Sequence, residues 1–137
     1  MGAMGDDTAR LVRPAGGGEN PKERYGRLKP PLRFVPPALA LYVSRVMELG
    51  ARKYGPMNWR SKPVSLNTYL EAIERHLYAA RDGETVDPES GMPHVAHIAA
   101  CCGIVLDAAA HGALIDDRFD AGPAATIIDE LTTKEPR

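Results

Sequence analysis

Apolar residues recur every three or four positions in three segments of this chain, which is the spacing of an amphipathic α-helix. The segments are bounded by Pro36-Pro37 and residues 50–55, by Ser65 and Asp82, and by Pro93 and His111. A weaker segment covers residues 126–131, and no run alternates as a strand does. We therefore predict an all-α fold, a compact bundle of three main helices plus a weak C-terminal helix.

The residues at these boundaries support the prediction. Proline suits the first turn of a helix, Ser65 can cap the second helix, and glycine follows the second and third at Gly83 and Gly112. The second helix has an apolar stripe that predicts its core face, made of Leu66, Leu70, Ile73, Leu77 and Ala80. The third places several chemically distinct residues on one face: His94, His97, Cys101, Ile104 and Ala108.

A length of 137 residues allows one domain. We assign it to residues 29–112, with a C-terminal extension at 113–137. Residues 1–28 include three consecutive glycines and no apolar period, so we predict a flexible basic N-terminal arm. Because three modest helices bury little surface, we expect a homo-oligomer to complete the bundle.

The net charge of −1 hides an uneven distribution. Residues 1–62 hold 12 lysines and arginines against 5 acidic residues, whereas residues 63–137 hold 5 against 13. The first half therefore suits an anionic group and the second a cation, although a basic arm beside an acidic, solvated surface explains the charges equally well. The basic residues are scattered, so nucleic-acid binding is not expected.

The composition also bears on cellular location. No apolar run approaches the roughly 18 to 20 residues that span a bilayer, and no secretory signal is apparent, so no membrane partner is expected. Adjacent cysteines at Cys101 and Cys102 cannot form an ordinary disulfide with each other. They are typical of small helix residues in a reducing cytoplasm, where we expect the protein.

Three of the four histidines lie with several carboxylates between Arg75 and His97, at the end of one helix, in the next loop and at the start of the following helix. His94 and His97 are three residues apart and can face one ion, so we predict that they bind a divalent metal with Asp87 and Glu89. Imidazole with carboxylate suits Mn²⁺, Zn²⁺ or Fe²⁺, and carboxylate alone suits Mg²⁺.

These residues also have simpler explanations. A lone histidine on an apolar face is usually part of the core, and an acidic loop between helices is common. One of Glu84, Asp87 and Glu89 could be a metal ligand and another a base that positions water.

An ordered set of short motifs gives a second line of inference. It comprises Lys29-Pro30-Pro31-Leu32, residues 50–55 with Asn58-Trp59, Tyr69, Arg75-His76-Leu77, Gly83-Glu84, Asp87-x-Glu89-Ser90-Gly91 and His94-x-x-His97. Residues 29–106 thereby resemble the N-terminal domain of phage-type dATP/dGTP diphosphohydrolases of the MazZ kind. These are related to the MazG-like all-α nucleotide pyrophosphohydrolases.

The resemblance implies hydrolysis of a purine (d)NTP to (d)NMP and pyrophosphate, assisted by a divalent metal, with Mg²⁺ or Mn²⁺ favoured and Zn²⁺, Co²⁺ or Fe²⁺ possible. It also implies a dimer or tetramer, in the host cytoplasm if the protein is phage-encoded. MazG enzymes hold Mg²⁺ with a glutamate-rich helix pair that is replaced here by Arg75-His76 and His94-x-x-His97. The alternative is therefore a non-catalytic nucleotide- or protein-binding factor.

On the enzymatic interpretation each residue receives a role. Glu84 or His76 positions the attacking water, and the phosphate charge is neutralised by Lys53, Arg52 and Arg75. Tyr54 and Trp59 stack on the purine, and Asn58 hydrogen-bonds its edge. For Trp59 the alternative is a large residue that anchors its loop on the core.

Overall fold

The computed structural model describes residues 16–135, and this part of the chain is mostly helical, as predicted. It contains five α-helices and one pair of very short strands. The helices are α1 (Pro21–Gly26), α2 (Pro37–Tyr54), α3 (Leu66–Arg81), α4 (His94–His111) and α5 (Ala124–Leu131), and the strands are β1 (Val64–Ser65) and β2 (Leu114–Ile115).

The chain divides into two compact units, Met1–Val35 and Pro36–Arg137. In the first unit, Asn20 caps α1 by accepting a hydrogen bond from the Lys22 N–H. Sequence patterning did not predict this helix, because it is six residues long and entirely exposed. The predicted flexibility of the arm stays a prediction, and its residues 1–15 lie outside the described part.

Helix α2 begins at Pro37 and continues through Gly50 as far as Tyr54. Gly55 ends it with a positive φ of 91°, a conformation that glycine adopts without steric cost. Of the two glycines that could have ended the helix, the second does so. The chain then turns through a short 3₁₀-helix, Asn58–Arg60, in which Trp59 is buried.

Helix α3 begins after Ser65, whose side chain accepts from the Thr68 N–H, and it packs most extensively against α4. The predicted core stripe is wrong at Leu77, which is 38% exposed. The half-buried face includes Tyr69, Ala72 and His76 instead. Packing against α4 therefore turns the flank that carries His76 inward.

Helix α4 packs against both α2 and α3, and its buried residues are His94, Ala96, Ala100 and Ala108. By length and composition it could cross a membrane, the one such helix among residues 16–135. The sequence analysis did not identify this candidate span, because His94, His97 and Asp107 interrupt its apolar run. One such helix is weak evidence for a membrane span, because the core helix of a globular domain has the same properties.

The two strands pair in parallel, with Val64 opposite Leu114 and Ser65 opposite Ile115. Each has two residues, too few to give an alternating pattern in the sequence. The Asp117 carboxylate accepts from the Ser65 hydroxyl at 2.5 Å and from the Asn67 N–H at 3.0 Å. These bonds hold the segment after α4 against the start of α3.

Candidate functional site

The loop between α3 and α4, residues 82–93, folds back on itself before α4 begins. Val86 and Pro93 form an antiparallel bridge, and the Asp87 N–H donates to the Met92 carbonyl at 2.9 Å. The His94 N–H donates to the Thr85 carbonyl at 3.0 Å. The loop carboxylates are thereby held beside the first turn of α4, where two histidines lie.

Three imidazoles meet at this place, and we call His76, His94 and His97 the histidine cluster. His76 comes from α3 and the other two from α4. The Nδ1 atoms of His76 and His94 are 2.8 Å apart, and the rings of His76 and His97 stack with centroids 4.5 Å apart. His94 is the most buried of the three, at 4% exposure.

Glu84 fixes the orientation of His94. Its Oε1 accepts a hydrogen bond from the His94 Nε2–H, with the two atoms 2.7 Å apart. In the tautomer that carries a proton on Nε2 alone, the His94 Nδ1 accepts from the His76 Nδ1–H at 2.8 Å. A carboxylate on the far nitrogen of an imidazole is the usual arrangement around a metal-ligating histidine.

Asp87 completes a group of three possible metal ligands. One ligand atom each from His76, Asp87 and His94 all lie within 4.8 Å of one another. Two imidazoles and one carboxylate are a donor set used for divalent transition metals. The residues present therefore fit a divalent ion, and Mn²⁺, Fe²⁺, Co²⁺ or Zn²⁺ suits them better than Mg²⁺.

His97, a predicted ligand, has a different environment from His94. Its Nε2 lies 2.6 Å from the Ser90 hydroxyl and 3.5 Å from the Asp87 Oδ2. The Ser90 oxygen also accepts from the Met92 N–H at 3.1 Å. The structure thus places His76, rather than His97, in the group of closest donors. Sequence reasoning missed Ser90 as a site residue, although it belongs to the motif that runs from Asp87 to Gly91.

Burial in this cluster disfavours the charged imidazole. It is the main reason why the pKa values of both His76 and His97 lie below the usual value for histidine. The neighbouring imidazoles lower them further, whereas the Asp87 carboxylate opposes the change. Neutral imidazole is the form that binds a metal.

Glu89 does not join the group of closest donors. Its carboxylate pairs with the Lys53 ammonium on α2, with Oε1 and Nζ 2.5 Å apart. The hydrogen bond and the charge of Glu89 raise the pKa of Lys53 above its usual value. Lys53, predicted as a phosphate ligand, is therefore held against the loop that carries Asp87.

A cavity of about 420 Å³ opens beside the cluster. Its lining is mostly apolar, and His97 belongs to both the cavity and the cluster. The lining also includes Lys53 and Tyr54 of α2, Asn58 and Trp59 of the following loop, and Tyr69 of α3. Four residues predicted to bind substrate thus border one cavity: Lys53, Tyr54, Asn58 and Trp59. Tyr69 belonged to the motif set but had no predicted role.

Trp59 has a structural role. It is 5% exposed, and its indole N–H donates to the Asp107 carboxylate of α4 at 2.7 Å. Arg60 binds the same carboxylate through two nitrogens, each at 2.8 Å. These partners hold the pKa of Asp107 well below its usual value. The interpretation of Trp59 as a loop anchor therefore has direct geometric support.

The two remaining predicted phosphate ligands differ in position. Arg52 pairs with Glu48 at 3.1 Å on the exposed side of α2 and is not among the cavity-lining residues. Arg75 is exposed and is not among the cavity-lining residues either, but it lies next to His76 on α3. Of the two, Arg75 is the better placed.

Comparison with known proteins agrees with the motif set. The family described as "dATP/dGTP diphosphohydrolase, N-terminal" matches residues 19–118. The chain belongs to this family. A relative named "dATP/dGTP diphosphohydrolase", from Salmonella phage PMBT28, is 31% identical over 77 residues, which cover 56% of this chain and 26% of the relative. This chain therefore matches about a quarter of that relative's length, and no solved structure gives a significant match.

The family match includes the whole site. Residues 19–118 contain the histidine cluster, the loop carboxylates and every residue named above in the cavity lining. The features that carry chemistry thus lie within the part of the chain that defines the family.

Proposed function

We propose that this domain hydrolyses a purine (d)NTP to (d)NMP and pyrophosphate with the help of a divalent metal. The observation that carries the proposal is the position of the His76–Asp87–His94 group beside a cavity that Lys53 borders. The name of the phage relative and the family match support a nucleotide substrate.

The group His76, Asp87 and His94 would hold the metal, which when bound supplies positive charge to the triphosphate and lowers the pKa of water. Glu84 keeps the His94 ring in one orientation through Oε1. Its side chain is 53% exposed, so Oε2 can reach solvent and accept a hydrogen bond from the attacking water. Glu84 then combines the orienting role with the role predicted from the sequence.

The cavity would take the base. Tyr54 is 70% exposed at its edge, where its ring can stack on a purine, and Asn58 offers an amide to the edge of the base. Trp59 forms part of the wall while Asp107 holds its indole. Lys53 would neutralise phosphate charge between the base and the metal group.

The test is pyrophosphate release from dATP, dGTP, dCTP and dTTP with Mg²⁺, Mn²⁺ or Co²⁺. We expect release from the purine substrates, in equal amount to the (d)NMP formed, and at least a 100-fold loss of rate in Asp87→Asn. Asp116→Asn is the matched control, because that aspartate pairs with Arg118 in another loop.

Two outcomes would contradict the proposal. Equal rates in Asp87→Asn and the wild-type chain would show that the His76–Asp87–His94 group takes no part in the reaction. Nucleotide binding without pyrophosphate release under any of these metals would favour the alternative, a non-catalytic nucleotide-binding factor.

A further inference from the structure

The ion pair between Lys53 and Glu89 joins two parts of the site that the sequence separates by 36 residues. Lys53 lies in the last turn of α2 and borders the cavity, whereas Glu89 lies in the loop that carries Asp87. Their side chains are 43% and 70% exposed, so water and small anions can reach both. The cation best placed for phosphate is thus already bound to a carboxylate of the same chain.

We propose that Lys53 is a binding subsite for a polyphosphate anion and that the Glu89 carboxylate occupies it until phosphate displaces it. This inference rests on the proposed function for the identity of the anion as the triphosphate of a nucleotide. It adds a competition between the Glu89 carboxylate and phosphate for Lys53, which the proposed function alone does not require.

The strength of the pair makes the exchange feasible. Exposed ion pairs shift an equilibrium by no more than about fivefold, because water screens them and both side chains lose freedom. A polyphosphate carries several charges and several acceptor oxygens, so it can replace one carboxylate on an ammonium. The lysine keeps an anionic partner throughout.

The loop backbone can stay in place during this exchange. The Glu89 N–H donates to the Asp87 Oδ1 at 2.9 Å, and the Gly91 N–H donates to the Asp87 carbonyl at 2.8 Å. Both bonds involve backbone groups of the turn, not the Glu89 carboxylate. Displacement therefore requires a rotation of one exposed side chain.

The released carboxylate has a nearby destination. Glu89 follows Asp87 by two residues in the loop, and its backbone N–H donates to the Asp87 Oδ1 at 2.9 Å. A polyphosphate at Lys53 would thus leave a second carboxylate free beside the metal group. Binding of the anion and binding of a cation would support each other.

The experiment measures binding of inorganic tripolyphosphate by titration calorimetry in EDTA, with the full chain. Glu89→Gln should bind two- to fivefold more tightly than wild type, because the competing carboxylate is gone. Lys53→Met should bind at least tenfold more weakly. In the double variant, Glu89→Gln should have no further effect, because it acts through Lys53.

Glu130→Gln is the matched control. Glu130 is an exposed glutamate of α5 that is not among the cavity-lining residues. This variant reports the general effect of removing one negative charge from the chain, and we expect less than a 1.5-fold change.

Unchanged or weaker binding in Glu89→Gln would overturn the exchange. So would an increase that persists in the Lys53→Met background, because it would then be a general effect of charge. Pyrophosphate release is measured separately with nucleotide and metal. If release fails while the calorimetric cycle behaves as expected, the enzymatic function is wrong and the anion subsite stands.

Discussion

At the scale of single residues, two hydrogen bonds to Nε2 atoms organise the histidine cluster. Glu84 binds the Nε2 of His94, and Ser90 binds that of His97. In the tautomer that carries a proton on Nε2 alone, the first bond leaves the His94 Nδ1 as an acceptor that faces the His76 Nδ1. The second ties His97 to the loop, so that its ring can support His76 by stacking.

Glu84→Ala should weaken Mn²⁺ binding by about 10- to 100-fold, because loss of a carboxylate behind a ligating imidazole frees the ring and its tautomer. Titration calorimetry on the chain without nucleotide measures this directly. Glu74→Ala, at an exposed glutamate of α3, the helix that precedes the loop, is the control. Equal affinity in Glu84→Ala and wild type would show that this hydrogen bond does not serve metal binding.

The sequence singled out the three histidines and Asp87, but it did not predict their arrangement. Histidines three apart on a helix share a face, so His94 and His97 were the natural pair. The fold of the loop brings Ser90 to His97, and the packing of α3 brings His76 to His94. Both contacts depend on tertiary structure, which spacing along one helix cannot encode.

At the scale of elements, the contact of Trp59 and Arg60 with Asp107 fixes the loop after α2 on α4. The pKa of Asp107 is lower in the folded state than its ordinary value of 3.8. Folding therefore gains stability from the ionised carboxylate above that value and loses it progressively as the pH falls below it.

Asp107→Asn should lower the melting temperature at pH 7, and the difference from wild type should shrink as the pH falls from 4 to 2. Thermal denaturation followed by circular dichroism at several pH values measures both. Asp120→Asn, at an exposed aspartate, is the control, because it makes the same change in size and charge. A difference that stays constant with pH would mean that the carboxylate charge does not matter here.

The helices were predictable because their limits are local signals. Pro36-Pro37, Ser65 and Gly112 lie within a residue of the observed boundaries of α2, α3 and α4. The exposure of Leu77 and the pairing of β1 with β2 were not predictable. The first depends on how α4 lies against α3, and the second joins segments about 50 residues apart.

At the scale of the whole molecule, many large apolar side chains remain at the surface of the described residues. On α4, Val95 and Leu106 are 66% and 72% exposed, and on α3 Tyr78 is 61% exposed. A small helical unit with such a surface gains stability by pairing. The homo-oligomer expected from the sequence stays a prediction, and the exposed apolar surface is a physical reason for it.

Light scattering coupled to gel filtration should give the mass of a dimer or tetramer at micromolar concentration. Leu106→Glu should shift the chain toward the 14.8 kDa monomer, because it places a charge on the exposed face of α4. Lys134→Glu, a surface charge reversal after α5, should not. A wild-type chain that elutes as a monomer would refute oligomerisation.

The metal group is the central claim, and Mn²⁺ titration of two histidine variants tests it most directly. His76 belongs to the group of closest donors, whereas His97 is held by Ser90. We predict that His76→Ala loses the calorimetric signal for Mn²⁺, while His97→Ala retains it with less than a tenfold loss of affinity. Retained Mn²⁺ binding in His76→Ala, with loss in His97→Ala, would contradict this account.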